Sequence, residues 1–409
     1  MAVPSQQTRN SLREFRLFLE EICCNLCRFQ HLYQDDHSPE SIKINQEVYL
    51  GMPDAFADIR VQPSDDSAYF IEVKYGYPIL RLLSSLERKY GKHSHALMGA
   101  SKLILVVEPN HYDNWDDVKS TIQSQLHPSL KLEVWNEDYL MALIKDTFGV
   151  HLDSFSEANL LDLRAAIDDA KGMYAFGEKN WNNDSLQSSL LWQFGFWKLR
   201  QLCETRNVVP REMVPPGLYQ DVVVLMVDLC AYSSYVRDTW DDEVVRHVLT
   251  SFYSKVRYEI LNTGGMLFES VGDQVNALFG MPEPIPSSCQ DALDCARALI
   301  DIGNSVSTTW QRHIDRVQHS RGVHIGMAIG DIQVVSLRPY GRAHLGAVSD
   351  ALNMAARLQD QAGSGEIVIS NSYYQSLPER SKDGFEALEA IDAKNMGKIN
   401  AWKLRVHPE

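Results

Sequence analysis

Apolar positions in the first 150 residues switch repeatedly between helical and alternating spacing. Residues 8–28 set Leu12, Phe15, Phe18, Leu19, Ile22 and Leu26 three or four apart, which predicts an amphipathic helix. Extended runs follow at 46–50, 56–62 and 69–75, separated by Gly51-Met52-Pro53-Asp54 and Pro63-Ser64-Asp65-Asp66. A helix near 79–91, a strand from Leu103 to Val107, a helix near 113–126 and a strand from Leu132 to Trp135 complete the pattern. Strands alternating with helices predict an α/β domain with a mixed sheet over residues 1–150. Residues 155–205 read as two helices around the polar loop 178–184. The second, Ser185 to Cys203, is apolar over more than half its circumference and needs a partner surface. Residues 151–217 are therefore assigned as a helical linker and dimerisation segment. Val209-Pro210 and Val214-Pro215-Pro216-Gly217 terminate it.

A second α/β domain is assigned to residues 218–409. The run VVVLMV at 222–227 has the pattern of a buried central strand, and it delivers Asp228 at its end. A helix with apolar positions at Trp240, Val244, Val245, Val248, Leu249, Phe252, Val256 and Ile260 comes next, closed by Asn262 and Gly264-Gly265. Met266 to Val271, the turn Gly272-Asp273 and Val275 to Phe279 predict a hairpin. A second hairpin is expected through Gly330-Asp331, between 323–329 and 332–337. Asp350 to Leu358 reads as a helix with Asn353 and Arg357 four apart on one face.

Charge narrows the functional classes. Asp and Glu number 54 against 39 Lys and Arg, a formal charge of −15, which disfavours life on a nucleic-acid backbone. No apolar stretch approaches the roughly 20 residues of a membrane span, and seven cysteines do not suggest a disulfide framework. The expectation is a cytoplasmic, multidomain chain without a membrane span.

The strand–helix–hairpin order can bring Asp228 beside Asp273 on adjacent strands, and two carboxylates at a sheet edge suit a pair of hard cations. Each part also has an ordinary explanation. Gly-Asp is a common turn pair, an Asp after a strand is often a helix cap, and a pair such as Asn353 with Arg357 more commonly marks a solvated helix face. The joint pattern is more specific. VVVLMVDLCAYS, FESVGDQVNALFG, GMAIGDIQV and SDALNMAARL, spaced in order over about 219–405, resemble the class III nucleotidyl cyclase catalytic domain. The resemblance implies a ferredoxin-like α/β domain, a homodimer with active sites at the subunit interface, and a nucleoside triphosphate substrate. It also implies two divalent cations, Mg²⁺ or Mn²⁺, per site. It puts the metal set at Asp228 and Asp273, with Leu229 beside them. Asn353 falls on the ribose-orienting asparagine, Arg357 on the arginine that stabilises the transition state, and Lys394 on the triphosphate-binding lysine. Backbone N–H groups after Asp228 would cradle phosphate.

Two positions depart from the adenine-reading pattern. Glu269 stands where a lysine would meet adenine N1, and Gly346 stands at the aspartate position. A carboxylate accepts from an imide-like N–H of guanine or uracil, which argues against ATP. With no second polar reader at Gly346, the guanine pattern is only half met. UTP is preferred, chiefly on the architecture, with GTP, ATP and CTP as alternatives. Arg342 and His344 are candidate donors to the uracil carbonyls. His324 replaces an arginine that often contacts phosphate in the family. A cyclase domain joined to an unrelated α/β domain also resembles the bacterial antiphage (Pycsar) pyrimidine cyclases, whose cyclic nucleotide activates a separate effector.

Within the first domain, Asp58, Glu72 and Lys74 resemble the PD-(D/E)xK nuclease pattern, with Glu72 and Lys74 on one face of a strand. A salt bridge on a strand would leave the same trace. Residues 1–150 carry 15 Lys and Arg against 21 Asp and Glu, and 15 − 21 = −6 disfavours tight DNA binding, so the domain is read as regulatory. The rival class is a nucleic-acid sensor or nuclease with a silent cyclase-like domain. Cys23, Cys27 and His31 recur at helical spacing next to Cys24; a zinc site lacks a fourth ligand, and buried helix cysteines are the reading preferred.

Overall fold

The computed structural model describes all of the chain except residues 1–5, 35–40, 95–96, 156, 178–184, 207–211, 315–317, 338–343, 394–396 and 408–409. It divides into two compact units, 1–170 and 171–409.

The first unit runs α1 (Gln6–Gln34), β1 (Ile42–Tyr49), β2 (Phe56–Pro63), β3 (Ala68–Val73), α2 (Ile79–Tyr90), β4 (Ala100–Val106), α3 (Trp115–Gln125), β5 (Lys131–Trp135), α4 (Glu137–Phe148) and the start of α5 (Glu157–Phe176). The strands pair in sequence order. β1, β2 and β3 are antiparallel, whereas β3, β4 and β5 are parallel, so the mixed sheet expected from the sequence is present. Helix α1 extends past the expected 8–28, and α4 was not anticipated. Asn136 caps α4 by accepting from the Tyr139 N–H, and Gly149 closes it in the left-handed region at φ 70°. Cys23, Cys24 and Cys27 are buried along α1, and burial pushes the Cys23 thiol well up and that of Cys27 to about 11. His31 bonds Ser41 Oγ at 2.6 Å. These contacts are those of packed thiols.

The second unit continues with α6 (Ser185–Gln193), α7 (Phe196–Arg206), β6 (Gly217–Leu229), α8 (Tyr232–Asp238), α9 (Asp242–Asn262), β7 (Met266–Val271), β8 (Gln274–Phe279), α10 (Ser288–Gln311), β9 (Val323–Leu337), β10 (His344–Val348), α11 (Asp350–Gln361), β11 (Glu366–Ser370), α12 (Asn371–Ser376), β12 (Phe385–Ala387), β13 (Ile391–Ala393), β14 (Gly397–Ile399) and β15 (Ala401–Arg405). The order β6-α9-β7-β8-α10-β9, with strands arranged β9-β6-β8-β7, is the ferredoxin-like βαββαβ plan. Alternate residues of β6 (Val223, Leu225, Val227, Leu229), β8 (Val275, Ala277, Phe279) and β9 (Val323, Ile325, Met327) turn to one face and pack on α9 and α10. Helix α11 covers β9 on the other face. Among the described residues, no helix is long and apolar enough to cross a membrane.

Three expectations need correction. The helix expected over Ser185 to Cys203 is two helices, broken at Gly195, where a Cβ would come within 2.8 Å of the Trp197 ring. The hairpin expected at Gly330-Asp331 does not form: β9 runs unbroken from Val323 to Leu337. The partner strand β6 supplies the irregularity instead, with its register shifting between Tyr219 and Val222, Asp221 at φ 53°, and the Asp221 N–H donating to Asp331 Oδ1 at 3.4 Å. Trp240 is not a core residue; it lies between α8 and α9 and is 92% exposed.

Candidate functional site

Asp228 is carried to its place by the buried run 222–227 of β6, and its side chain turns away from the α9–α10 core. Asp273 sits in the two-residue turn between β7 and β8, where Gly272 takes φ 63°. Because Val227 pairs with Val275, the end of β6 and this turn adjoin, and the two carboxyls lie within hydrogen-bonding reach of each other. Burial, the hydrogen bond to Asp228 and its charge together push Asp273 up to about 7. Burial would raise Asp228 as well. Hydrogen bonds from His324 and Asp273 outweigh it and leave Asp228 below the usual carboxylate range. With both carboxyls ionised, Asp228 Oδ1 is a buried oxygen with no donor among the described residues. A shared proton or a cation satisfies it. Two hard oxygen donors at such range, one of them orphaned, fit Mg²⁺ or Mn²⁺.

His324 lies directly opposite Asp228 in the β6–β9 register, and its Nε2 is 3.3 Å from Asp228 Oδ2. Its Nδ1 donates to Ala362 O at 3.1 Å, and the Gln359 amide nitrogen lies 2.8 Å from Nε2. Burial alone would lower this imidazole, but the bonds to Asp228 and Ala362 and the aspartate charges raise it. The ring thus orients Asp228 and ties it to the end of α11. Gln359 is a site residue that the sequence did not reveal. Its signal lies only in the pairing register that sets His324 across from Asp228.

Helix α11 presents two faces. Ala351, Ala355, Leu358 and Gln359 are buried against the sheet, while Asn353 is exposed and Arg357 half-buried. The glycine spacing of β9 explains how closely the helix sits. A Cβ on Gly326 would meet Ala355 O and Gln359 N at 2.2 Å, and one on Gly330 would meet Ala351 Cβ at 3.2 Å. Ser349 caps the helix by accepting from the Ala351 N–H at 2.9 Å.

Glu269 is exposed on β7, opposite Asn276 of β8, whose amide oxygen accepts from Gln274 at 2.8 Å. Gly346 pairs with Val335 on β10, away from β7 in the strand order. Leu229 has a buried side chain at the end of β6, so only its backbone is available to a ligand. The Cys230 N–H donates to Gly322 O at 3.0 Å and is not free to cradle phosphate. Lys394 and Arg342 lie outside the described residues.

In the first unit Asp58, Glu72 and Lys74 come together. Lys74 Nζ lies 2.6 Å from Asp58 Oδ2 and 2.5 Å from Glu72 Oε2. Lys89 and Tyr90 of α2 join them. Burial would raise Asp58, but the ammonium groups of Lys74 and Lys89 hold it far below the usual carboxylate range. Lys74 is desolvated too, and Asp58 and Glu72 nonetheless push it well up.

Residues 214–405 match the model of the adenylate and guanylate cyclase catalytic domain. An adenylate cyclase of Mycobacterium tuberculosis is 24% identical over 201 residues, covering 48% of this chain and 42% of that protein. The aggregation-specific adenylate cyclase of Dictyostelium discoideum is 24% identical over 193 residues, covering 47% of this chain and 13% of that protein. The chain thus spans less than half the length of either relative. Among solved structures, the catalytic core of a rhodopsin-guanylyl cyclase with converted specificity, in complex with ATPαS, aligns at TM-score 0.40 and 21% identity, covering 48% of this chain and 100% of that one.

Proposed function

We propose, proceeding from residues 214–405 as a class III adenylate/guanylate cyclase catalytic domain, that the protein converts a nucleoside triphosphate to its 3′,5′-cyclic monophosphate and pyrophosphate, with UTP the preferred substrate. The observation that carries this reading is the Asp228–Asp273 pair, two carboxyls held close enough to share a proton at the end of the central strand.

Asp228 and Asp273, with the Leu229 backbone, would hold a pair of divalent cations. Those cations supply charge neutralisation for the triphosphate and a lower pKa for the ribose 3′-hydroxyl. His324 fixes the Asp228 carboxylate through Nε2 and prevents its rotation away from the pair. Asn353 orients the ribose for in-line attack on the α-phosphorus. Arg357 follows the charge that develops on the α-phosphoryl oxygens; removing a donor of that kind costs about 10²–10³ in rate. Lys394 binds the leaving pyrophosphate. Asn353, Arg357 and Lys394 would come from the second subunit of a homodimer. Exposed Leu218 and Val348 flank the polar Gln333 across three strands, two uncovered apolar side chains on one face that favour such a contact.

Glu269 accepts from the uracil N3–H. Adenine N1 is itself an acceptor and gains nothing from a carboxylate. The cyclic nucleotide would serve as a second messenger for a separate effector, by analogy with the antiphage pyrimidine cyclases. Incubation of the purified chain with ATP, GTP, CTP and UTP plus Mn²⁺, with products resolved by mass spectrometry, tests the reading. Cyclic UMP is expected to dominate. A tenfold preference for ATP refutes the role given to Glu269, and no cyclic product from any triphosphate refutes the cyclase.

A further inference from the structure

The Asp58, Glu72 and Lys74 cluster has the residue types of a metal-dependent nuclease, but its geometry has no room for the metal. Lys89, in the last turn of α2, puts its ammonium between the two carboxylates, 2.9 and 2.8 Å from the oxygens of Glu72 and 3.5 Å from Asp58 Oδ1. The remaining donors converge on the same atoms. Tyr90 O–H donates to Glu72 Oε1 at 2.5 Å, and the Val73 N–H donates to Asp58 Oδ2 at 2.8 Å. With the Lys74 contacts, each of the four carboxylate oxygens accepts at least one donor. Two carboxylates face two ammonium groups, so the cluster is neutral. It is also largely buried: Glu72 is 0% exposed, Lys74 3% and Lys89 7%, and the Asp58 side chain 13%. A divalent ion entering here would displace a satisfied donor and stand beside two buried like charges, which low-dielectric surroundings make costly.

We propose that the Lys89 ammonium is a built-in cation standing where a divalent ion would sit, so that the first unit binds no metal at Asp58 and Glu72 and cleaves no phosphodiester. Removing that ammonium leaves two carboxylates against one lysine, a net charge of −1, around a space lined by oxygen donors. The Lys89→Ala chain therefore gains a divalent-cation site. This inference is independent of the cyclase reading, since it concerns only the first unit.

The test uses the full chain with Asp228→Asn and Asp273→Asn, so that Mn²⁺ bound by the second unit does not contribute. Mn²⁺ binding is read by electron paramagnetic resonance. With Lys89 intact, no site that depends on Glu72 is expected. Lys89→Ala should gain one Mn²⁺ site per chain that the parent lacks, and adding Glu72→Gln should remove it. Glu72-dependent Mn²⁺ binding with Lys89 in place overturns the proposal, as does a folded Lys89→Ala chain that gains no site. Should Lys89→Ala fail to fold, Lys89→Met, which keeps most of the stem, replaces it. Cleavage of plasmid DNA or single-stranded RNA by the wild-type chain with Mn²⁺ gives a readout that needs no Lys89 variant. Cleavage abolished by Glu72→Gln overturns the proposal, and its absence supports it.

Discussion

Replacing Gly326 by Ala should damage the candidate site from a position that touches no substrate. The added methyl would lie 2.2 Å from both Ala355 O and Gln359 N, where ordinary contact starts at 3.4 Å, so the shortfall is 3.4 − 2.2 = 1.2 Å. Both obstructing atoms belong to the backbone of α11. No rotamer change relieves the clash, and either the helix lifts off β9 or the strand yields. Overpacking of this kind costs about 1–3 kcal/mol of stability. The same movement shifts Asn353 and Arg357, and a misplacement of about 1 Å can cost up to about 10² in rate. It also pulls Gln359 from its 2.8 Å contact with His324. The assay is cyclic-nucleotide formation at saturating Mn²⁺ and triphosphate, with thermal unfolding measured on the same preparation. Gly330→Ala is the internal control. Its nearest obstacle is the Ala351 methyl at 3.2 Å, so a mild loss is expected, recovered by Ala351→Gly. A Gly326→Ala protein with wild-type rate and melting temperature refutes the reasoning.

The carboxyl pair predicts a pH dependence of metal binding. Asp273 titrates at about 7 in the metal-free site, so a cation must displace a proton below that pH, and the apparent Mn²⁺ affinity should rise about tenfold from pH 6 to 8 by calorimetry. A flat profile contradicts the shared proton. Because its folded pKa is raised, Asp273 contributes stability that is fully present below the ordinary carboxylate range and lost as pH rises through about 7. Added Mn²⁺ should offset that loss in a melting series. Mixing inactive Asp228→Ala with inactive Arg357→Ala protein should partly restore activity, because one site of the mixed dimer carries neither lesion. No recovery under verified subunit exchange places the site within one chain. Glu269→Lys with Gly346→Asp should move turnover from UTP toward ATP, with each charge-assisted hydrogen bond worth about 1.5–3 kcal/mol in specificity. An unchanged ratio of the two substrates removes Glu269 from the base.

The local pattern of the chain was enough to place Asp228 at the end of a buried strand, Asp273 in a hairpin turn, and Asn353 with Arg357 on one helical face. Each of these depends on neighbours within a few residues, where apolar periodicity and turn chemistry act directly. The break of the second linker helix at Gly195 and the straight passage of β9 through Gly330-Asp331 were not legible. Glycine marks a turn, a close approach or a helix break with the same letter. Only the neighbour decides: at Gly326 it is the backbone of α11, at Gly195 the Trp197 ring. Partners across the fold were equally hidden. His324 reaches Asp228 over 96 residues of chain through strand register. Lys89, 17 residues from Glu72, falls between the carboxylates because α2 folds back over β3. Sequence thus determined which chemistry-bearing residues end strands and line helix faces. Tertiary packing determined which of them are already neutralised by another part of the protein, because a charge buried beside its counter-ion and one poised for a ligand differ in surroundings and not in residue type.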